Sequence, residues 1–314
     1  MKTLGLIVAT VYIISLTSCG NKQKSTNSLA SDDIHIAIDE TFRPIMEEEL
    51  NVFENKYPEA ELKPRYMSET DALNLLLKDS IRLVVATREL SKQEVKAIED
   101  NYQLRVRTKR IATDGIALIV NEQNTDTLIT MKQLKEIVTG SLTKWEQMES
   151  AKTKGELELV FDNPNSSTVR YIKDSVCCGK ELKGNLKAQK TNQEVIDYVS
   201  KTRNAIGVIG VDWLRNASDS THLTFLKNIR VMSVSRSSIA EKGNSFQPLQ
   251  YYLATGDYPL TRSVYMITTD PQSRSMTLNL FFFVSDTPGQ LIITKSSQLL
   301  PYMPVQIKNI EVTE

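Results

Sequence analysis

At 314 residues the chain is long enough for two domains with full cores. Its 38 Lys+Arg balance 38 Asp+Glu and 40% of its residues are apolar, which excludes a disordered chain and leaves no basic excess for a nucleic acid. Only one run is apolar and long enough to interest a bilayer, which excludes a multi-span membrane protein.

That run opens the chain. Lys2 provides a positive start, and Leu4 to Leu16 carries no charge. As a helix it would reach about 20 Å, short of a bilayer core of about 30 Å, so it reads as the apolar part of a signal peptide over 1–18. Leu16-Thr17-Ser18-Cys19 resembles the lipobox of bacterial lipoproteins, which implies cleavage before Cys19 and lipid on its thiol. Residues 19–32 are small and polar and read as a flexible tether. The expectation is an exported body held close to a membrane. Cys177 and Cys178 are adjacent, and adjacent cysteines rarely bridge each other without strain, so both are expected as packed thiols. His35 and His222 stand alone as surface or packing residues, and no cluster has metal-ligand spacing.

From residue 32 short apolar strands alternate with amphipathic helices. Ile34–Ile38 alternates and ends in the polar turn Asp39-Glu40-Thr41-Phe42. A helix follows from Pro44, with Ile45, Met46, Leu50 and Phe53 on one face, and Pro58 ends it. Leu62–Met67 is a second strand, and Ser68-Glu69-Thr70-Asp71 opens a second helix. Leu83–Ala86 is a buried strand, followed by Thr87-Arg88 and a helix over Ser91–Ile98. Ile116–Asn121 is a strong strand, introduced by Thr113-Asp114-Gly115. Thr130 caps a helix that Gly140 ends. Leu159–Phe161 is a strand running into Asp162-Asn163-Pro164-Asn165-Ser166-Ser167-Thr168, with a helix from about Ser167. Val195, Ile196 and Val199 mark another helix, and Ala205–Gly210 another strand. Residues 222–236 hold further strand material, Leu278–Val284 is a Phe-rich helix, and Pro301 starts a short tail. This rhythm predicts an α/β fold with largely parallel strands.

In such sheets ligands gather where strands end and helices begin. The loops 39–42, 67–71 and 86–88 occupy that position and carry hydroxyl or charged groups, although the same residue types also serve as plain helix caps. The loop at 162–168 has no histidine beside it to activate a serine, and it lacks a nucleophile elbow. What it offers is hydroxyls and free N–H groups at a helix start, a pattern suited to an anion, with Arg88 as a source of charge.

Several segments together resemble the phosphate-binding substrate proteins of bacterial ABC importers. They are Leu128–Trp145 with its Thr130, Leu134, Gly140 and Trp145, then Asp114–Asn121, Ala205–Gly210, Tyr258–Arg262 and Phe283–Gln290, all in family order. The resemblance covers about residues 33–304. It implies a type II periplasmic-binding fold: two α/β lobes, 33–112 with 258–314 and 113–257, closing on an anion. It implies a binding protein without a cofactor, acting as a monomer, whose partners are inorganic phosphate, an ABC permease and a membrane reached through Cys19. By the same resemblance the ion is held by Thr41 and Phe42, by Ser68, by Thr87 and Arg88, and by Ser166, Ser167 and Thr168, with Ser167 in place of a glycine. Where many members carry an Asp, five residues before the third-loop hydroxyl, this chain has Arg82. Where many carry an Arg, six residues before the fourth-loop Thr, it has Asp162. A swapped Arg82–Asp162 pair is one reading, and side chains facing away from the cleft is the other. A carboxylate accepting the proton of monohydrogen phosphate would favour phosphate over sulfate, and Glu40, Glu69, Asp71 and Asp162 are the candidates. A receptor for another oxyanion such as sulfate or molybdate, or a surface sensor on the same scaffold, fits the same residues.

Overall fold

The computed structural model describes residues 33–149, 151–215 and 225–303. Cys19, the segments 1–18 and 19–32, and His222 lie outside the described residues. No described helix is long and apolar enough to cross a membrane.

The alternation at the start forms β1 (Asp33–Asp39), with Ile34, Ile36 and Ile38 buried. A 3-10 turn (Glu40–Phe42) leads into α1 (Arg43–Lys56). Pro44 sits in its first turn, where a missing N–H costs nothing. β2 (Glu61–Met67), α2 (Glu69–Leu77), β3 (Leu83–Ala86) and α3 (Lys92–Tyr102) follow. Ser68 and Ser91 cap the two helices, and Glu94 accepts a bond from the Ser91 N–H in return. The next strand departs from expectation. β4 (Arg107–Asn121) begins well before Ile116, because its charged first half, Arg107-Thr108-Lys109-Arg110, is held by a neighbouring strand rather than by its own hydrophobicity.

The second half of the chain supplies β5 (Leu128–Thr130), α4 (Met131–Val138), β6 (Glu158–Phe161), α5 (Ser167–Tyr171), β7 (Leu186–Ala188), α6 (Asn192–Lys201) and β8 (Ala205–Gly210). Gly140 follows α4 at φ 79°, the left-handed position that ends a helix. α5 continues as a π turn over Ile172–Val176. Then come β9 (Ile229–Val231), β10 (Ser233–Ser235), β11 (Ser245–Phe246), α7 (Gln250–Thr255), β12 (Thr261–Thr268), α8 (Met276–Ser285), α9 (Thr287–Ser296) and β13 (Leu300–Pro301). Pro301 is therefore an edge residue paired with Ala112 and not the start of a tail.

The main sheet runs β2-β1-β3-β12-β4-β8-β6-β7, with β13 and β9 also on β4. The expected parallel pairing holds on both flanks, β2-β1-β3 and β8-β6-β7. It fails in the middle: β12 runs antiparallel to β3 and β4, and β4 antiparallel to β8. The chain crosses from one half of the sheet to the other on β4 and returns on β12, and a returning strand must run backwards. A small sheet, β11-β10-β5, flanks the second half. One core packs α1, α6 and α8 on the sheet, and a second gathers around Trp145, whose indole N–H donates to the Asn204 carbonyl at 3.0 Å. Cys177 is buried and Cys178 exposed, so only the first is a packed thiol.

Candidate functional site

The four loops expected to face a ligand do meet. They lie at the carboxyl ends of β1, β2, β3 and β6, on both sides of a cleft that the end of β8 and the start of α6 complete. Thr41 and Ser167 stand 3.5 Å apart, hydroxyl to hydroxyl, both buried. Thr70 Oγ1 donates to the Asn165 carbonyl at 3.0 Å, and Trp213 Nε1 donates to the Thr41 carbonyl at 2.9 Å. A Cβ on Gly210 would come within 2.3 Å of the Thr41 methyl group, so the approach of β8 to the first loop requires glycine. Phe42 faces inward to the core.

The charge at the centre comes from a residue sequence reasoning did not single out. Arg262 on β12 is buried, donating from Nε to Asp114 Oδ2 and from Nη1 to Ser167 Oγ, both at 2.8 Å, with its guanidinium 5.5 Å from the Phe42 ring centre. The available signal was Asp114, the single carboxylate of β4, and Arg262, the single charge of β12, each bordering an apolar run, a pattern that calls for a buried pair. Arg88 is not in the cleft. It forms a two-armed bond, 2.8 Å on each arm, to Glu94 at the start of α3. We expect Arg88→Ala to leave anion affinity within about twofold of wild type by calorimetry, since Glu94 holds both arms of its guanidinium outside the cleft.

Arg82 does not pair with Asp162. It precedes β3, at the end of the strand away from the cleft, and bonds Asp79 at 3.2 Å. Asp162 does face the cleft and is held by neutral donors: Ser166 Oγ at 2.6 Å, Thr168 Oγ1, and Asn192 Nδ2 at 3.2 Å. The other loops follow one pattern. Ser68 Oγ donates to Asp71 at 2.6 Å, and the Thr87 N–H and hydroxyl donate to Glu69 Oε1 at 2.6 and 2.7 Å. The Thr41 N–H donates to Asp39 at 3.1 Å. Every hydroxyl-bearing loop thus has a carboxylate of its own chain on it.

The electrostatics follow from burial. Burial, with the charge of Glu69, pushes Asp39 up to about 7 against the pull of Arg262. Burial also raises Asp162, Asp114 and Glu40, with hydroxyl bonds to Asp162, Arg262 beside Asp114 and Asn192 beside Glu40 opposing it. Glu69 goes the other way. Burial pushes it up, but Arg170, donating from Nε to Oε2 at 2.6 Å, and the Thr87 donors outweigh this and lower it. Glu69 comes from α2 and Arg170 from α5, so their pair ties the two sides of the cleft. Beside these residues opens a cavity of about 270 Å³ walled by Asp39, Glu40, Ser68, Asp71, Asp162 and Ser166 among others.

The chain matches the PBP superfamily domain over residues 23–287. It is 22% identical over 303 residues to a phosphate-binding protein, PstS, of Borreliella burgdorferi, covering 93% of this chain and 98% of that one. It is 24% identical over 208 residues to the PstS of Staphylococcus epidermidis, a match that covers 65% of this chain and only 59% of the relative's length. Among solved structures, a putative phosphate ABC transporter substrate-binding protein of Clostridium perfringens, solved with bound phosphate, superposes with a TM-score of 0.71 at 19% identity, over 87% of this chain and all of that one. The fold is thus the mixed α/β, two-lobed periplasmic-binding fold that the sequence led us to expect.

Proposed function

The chain belongs to the PBP superfamily, and from that premise we propose that it is an exported receptor that binds inorganic phosphate and presents it to the permease of an ABC importer. One observation supports the reading: loops from both halves of the sheet converge, with Thr41 and Ser167 beside the buried Arg262, Thr87 tied to Arg170, and Ser68 and Ser166 walling one cavity. The site we assign comprises Thr41, Ser68, Thr87 and Ser166–Thr168 with Arg262, whose guanidinium lies 5.5 Å from the core-facing Phe42 ring. The lobes we assign are 33–112 with 258–314, and 113–257, joined where β4 and β12 cross. Rotation of one lobe against the other admits and encloses the ion and gives the permease a loaded shape to recognise. The protein is a receptor rather than an enzyme, a monomer, and lipid on Cys19 holds it to the membrane.

Calorimetry on the mature chain tests the ligand. Phosphate should bind with submicromolar to micromolar Kd, and sulfate much more weakly, because sulfate has no proton to offer the carboxylates that wall the cleft. Heat with sulfate or molybdate and none with phosphate would reassign the receptor to another oxyanion. For the anchor, Cys19→Ser is expected to move the protein from the membrane fraction to the soluble fraction. A protein that stays with the membrane would refute lipidation there.

A further inference from the structure

The donors of the fourth loop are already engaged within the chain. A hydroxyl has one proton to donate. Ser166 Oγ, at 2.6 Å, and Thr168 Oγ1 both reach Asp162 Oδ1 while standing 2.7 Å from each other, and Asn192 adds an amide bond to Oδ2. Asp162 is 2% exposed, and these three donors hold most of its carboxylate. The two hydroxyls that the resemblance assigns to a bound oxyanion therefore serve a carboxylate of this chain. Glu69 sits on the third loop in the same way, but Arg170 matches its charge. The hydrogen bonds to Asp162 come from neutral groups only.

Building on the phosphate reading, we propose that Asp162 is an internal competitor for the anion site: its carboxylate occupies the donors of the fourth loop, and an incoming oxyanion must displace it or find it neutralised by a proton. Asp162 would then set the affinity of the receptor. The charged groups around it work in both directions. Glu40, from the turn after β1, shares Asn192 with it and adds negative charge, while Arg262 on β12 attracts it. Asp39 at the end of β1, Asp71 on α2, Arg43 on α1 and Lys190 before α6 wall the same cavity. Burial favours the protonated form of Asp162, and a protonated carboxyl needs only one acceptor and releases the hydroxyls.

The competing role, a contact that accepts the proton of bound phosphate, predicts the opposite sign for the same substitution. Phosphate affinity would be measured by calorimetry at pH 5.5 and pH 8.0 for the mature protein, Asp162→Ala and Asp162→Asn. The Asn variant keeps the shape of the side chain and decides the matter should the Ala variant not fold. Both should bind phosphate more tightly than wild type at pH 8.0, by about tenfold, the value of one charge-assisted bond regained. The gap should narrow at pH 5.5, where a proton does what the substitution does. The ionisation of phosphate itself is common to all three proteins and cancels in the ratio. Phosphate binding by the variants alone would also support the competitor role. Equal or weaker binding by the variants at pH 8.0, with wild type binding, would overturn the competitor role and leave the phosphate reading standing. No binding by any of the three would remove the phosphate reading, and the competitor role with it.

Discussion

Arg262→Met is expected to lower the unfolding free energy by about 3–5 kcal/mol, the usual effect of removing one member of a buried ion pair, and to abolish phosphate binding. The reason lies in what Arg262 leaves behind. Asp114 is wholly buried, and Asp39 is 1% exposed. Both lean on the Arg262 charge against a burial that already pushes them towards their neutral forms. Without it, two buried carboxylates lose their counter-charge. Arg262 Nη2 is buried without a hydrogen-bond partner, as are Arg43 Nε and Tyr66 Oη in the cavity wall, and of these it is the one beside Ser167. The stability and binding losses separate in a double variant. Arg262→Met with Asp114→Leu should recover much of the stability, since an ion pair exchanged for apolar groups is often neutral, but none of the binding. Denaturant unfolding and calorimetry would read both. A single variant within about 1 kcal/mol of wild type would show that the pair is not buried as described.

Glu49→Met should have the opposite effect and raise stability by about 1–3 kcal/mol at neutral pH. Glu49 lies on α1, fully buried, with both carboxylate oxygens unpartnered, against Phe42, Met46, Val85, Ile111 and Val264. Burial alone pushes its carboxyl well above the ordinary 4.5. The folded chain therefore holds a proton that the unfolded chain has released. Stability resting on that proton is complete below pH 4.5 and declines as pH rises. Asp39 and Asp212, both pushed by burial to about 7, act the same way over pH 3.8 to 7. From about pH 4 to about pH 7 these three groups should thus withdraw stability from wild type, by up to about 1.4 kcal/mol per pH unit per group, and Glu49→Met should lose less. Thermal unfolding across this range would decide it, and an unchanged slope would mean that Glu49 is solvated.

The flanking strands and helices were legible because each carries its own period: Ile34-Ile36-Ile38 for a strand, Ile45-Met46-Leu50-Phe53 for a helix, with Ser68 and Ser91 marking starts. The positions of Thr41, Ser68, Thr87 and Ser166–Thr168 were legible because hydroxyl caps fall where strands end. The antiparallel centre was not legible. Arg107–Arg110 looks like a loop, and only pairing with Thr268–Tyr265, more than 150 residues away, makes it a strand. The charges of the site were misplaced for a related reason. Arg88 follows Thr87 but has Glu94 six residues on, a local partner that holds both arms of its guanidinium. Arg262 is separated from Asp114 by 148 positions, and no local period connects them.

The position of β12 between β3 and β4 has a consequence for how the molecule is made. A strand drawn from residues 261–268 fills the middle of the main sheet, so the first 120 residues cannot complete their hydrogen-bond ladder until more than twice that length has been synthesised. Until then β3 and β4 have open edges, and the apolar faces of α1 and of the Phe-rich α8 lack each other. Native structure in that half of the sheet therefore waits for residues 261–268. On the export proposed above, that half would still be open while the chain is threaded across a membrane, and it would close only once residue 268 has followed.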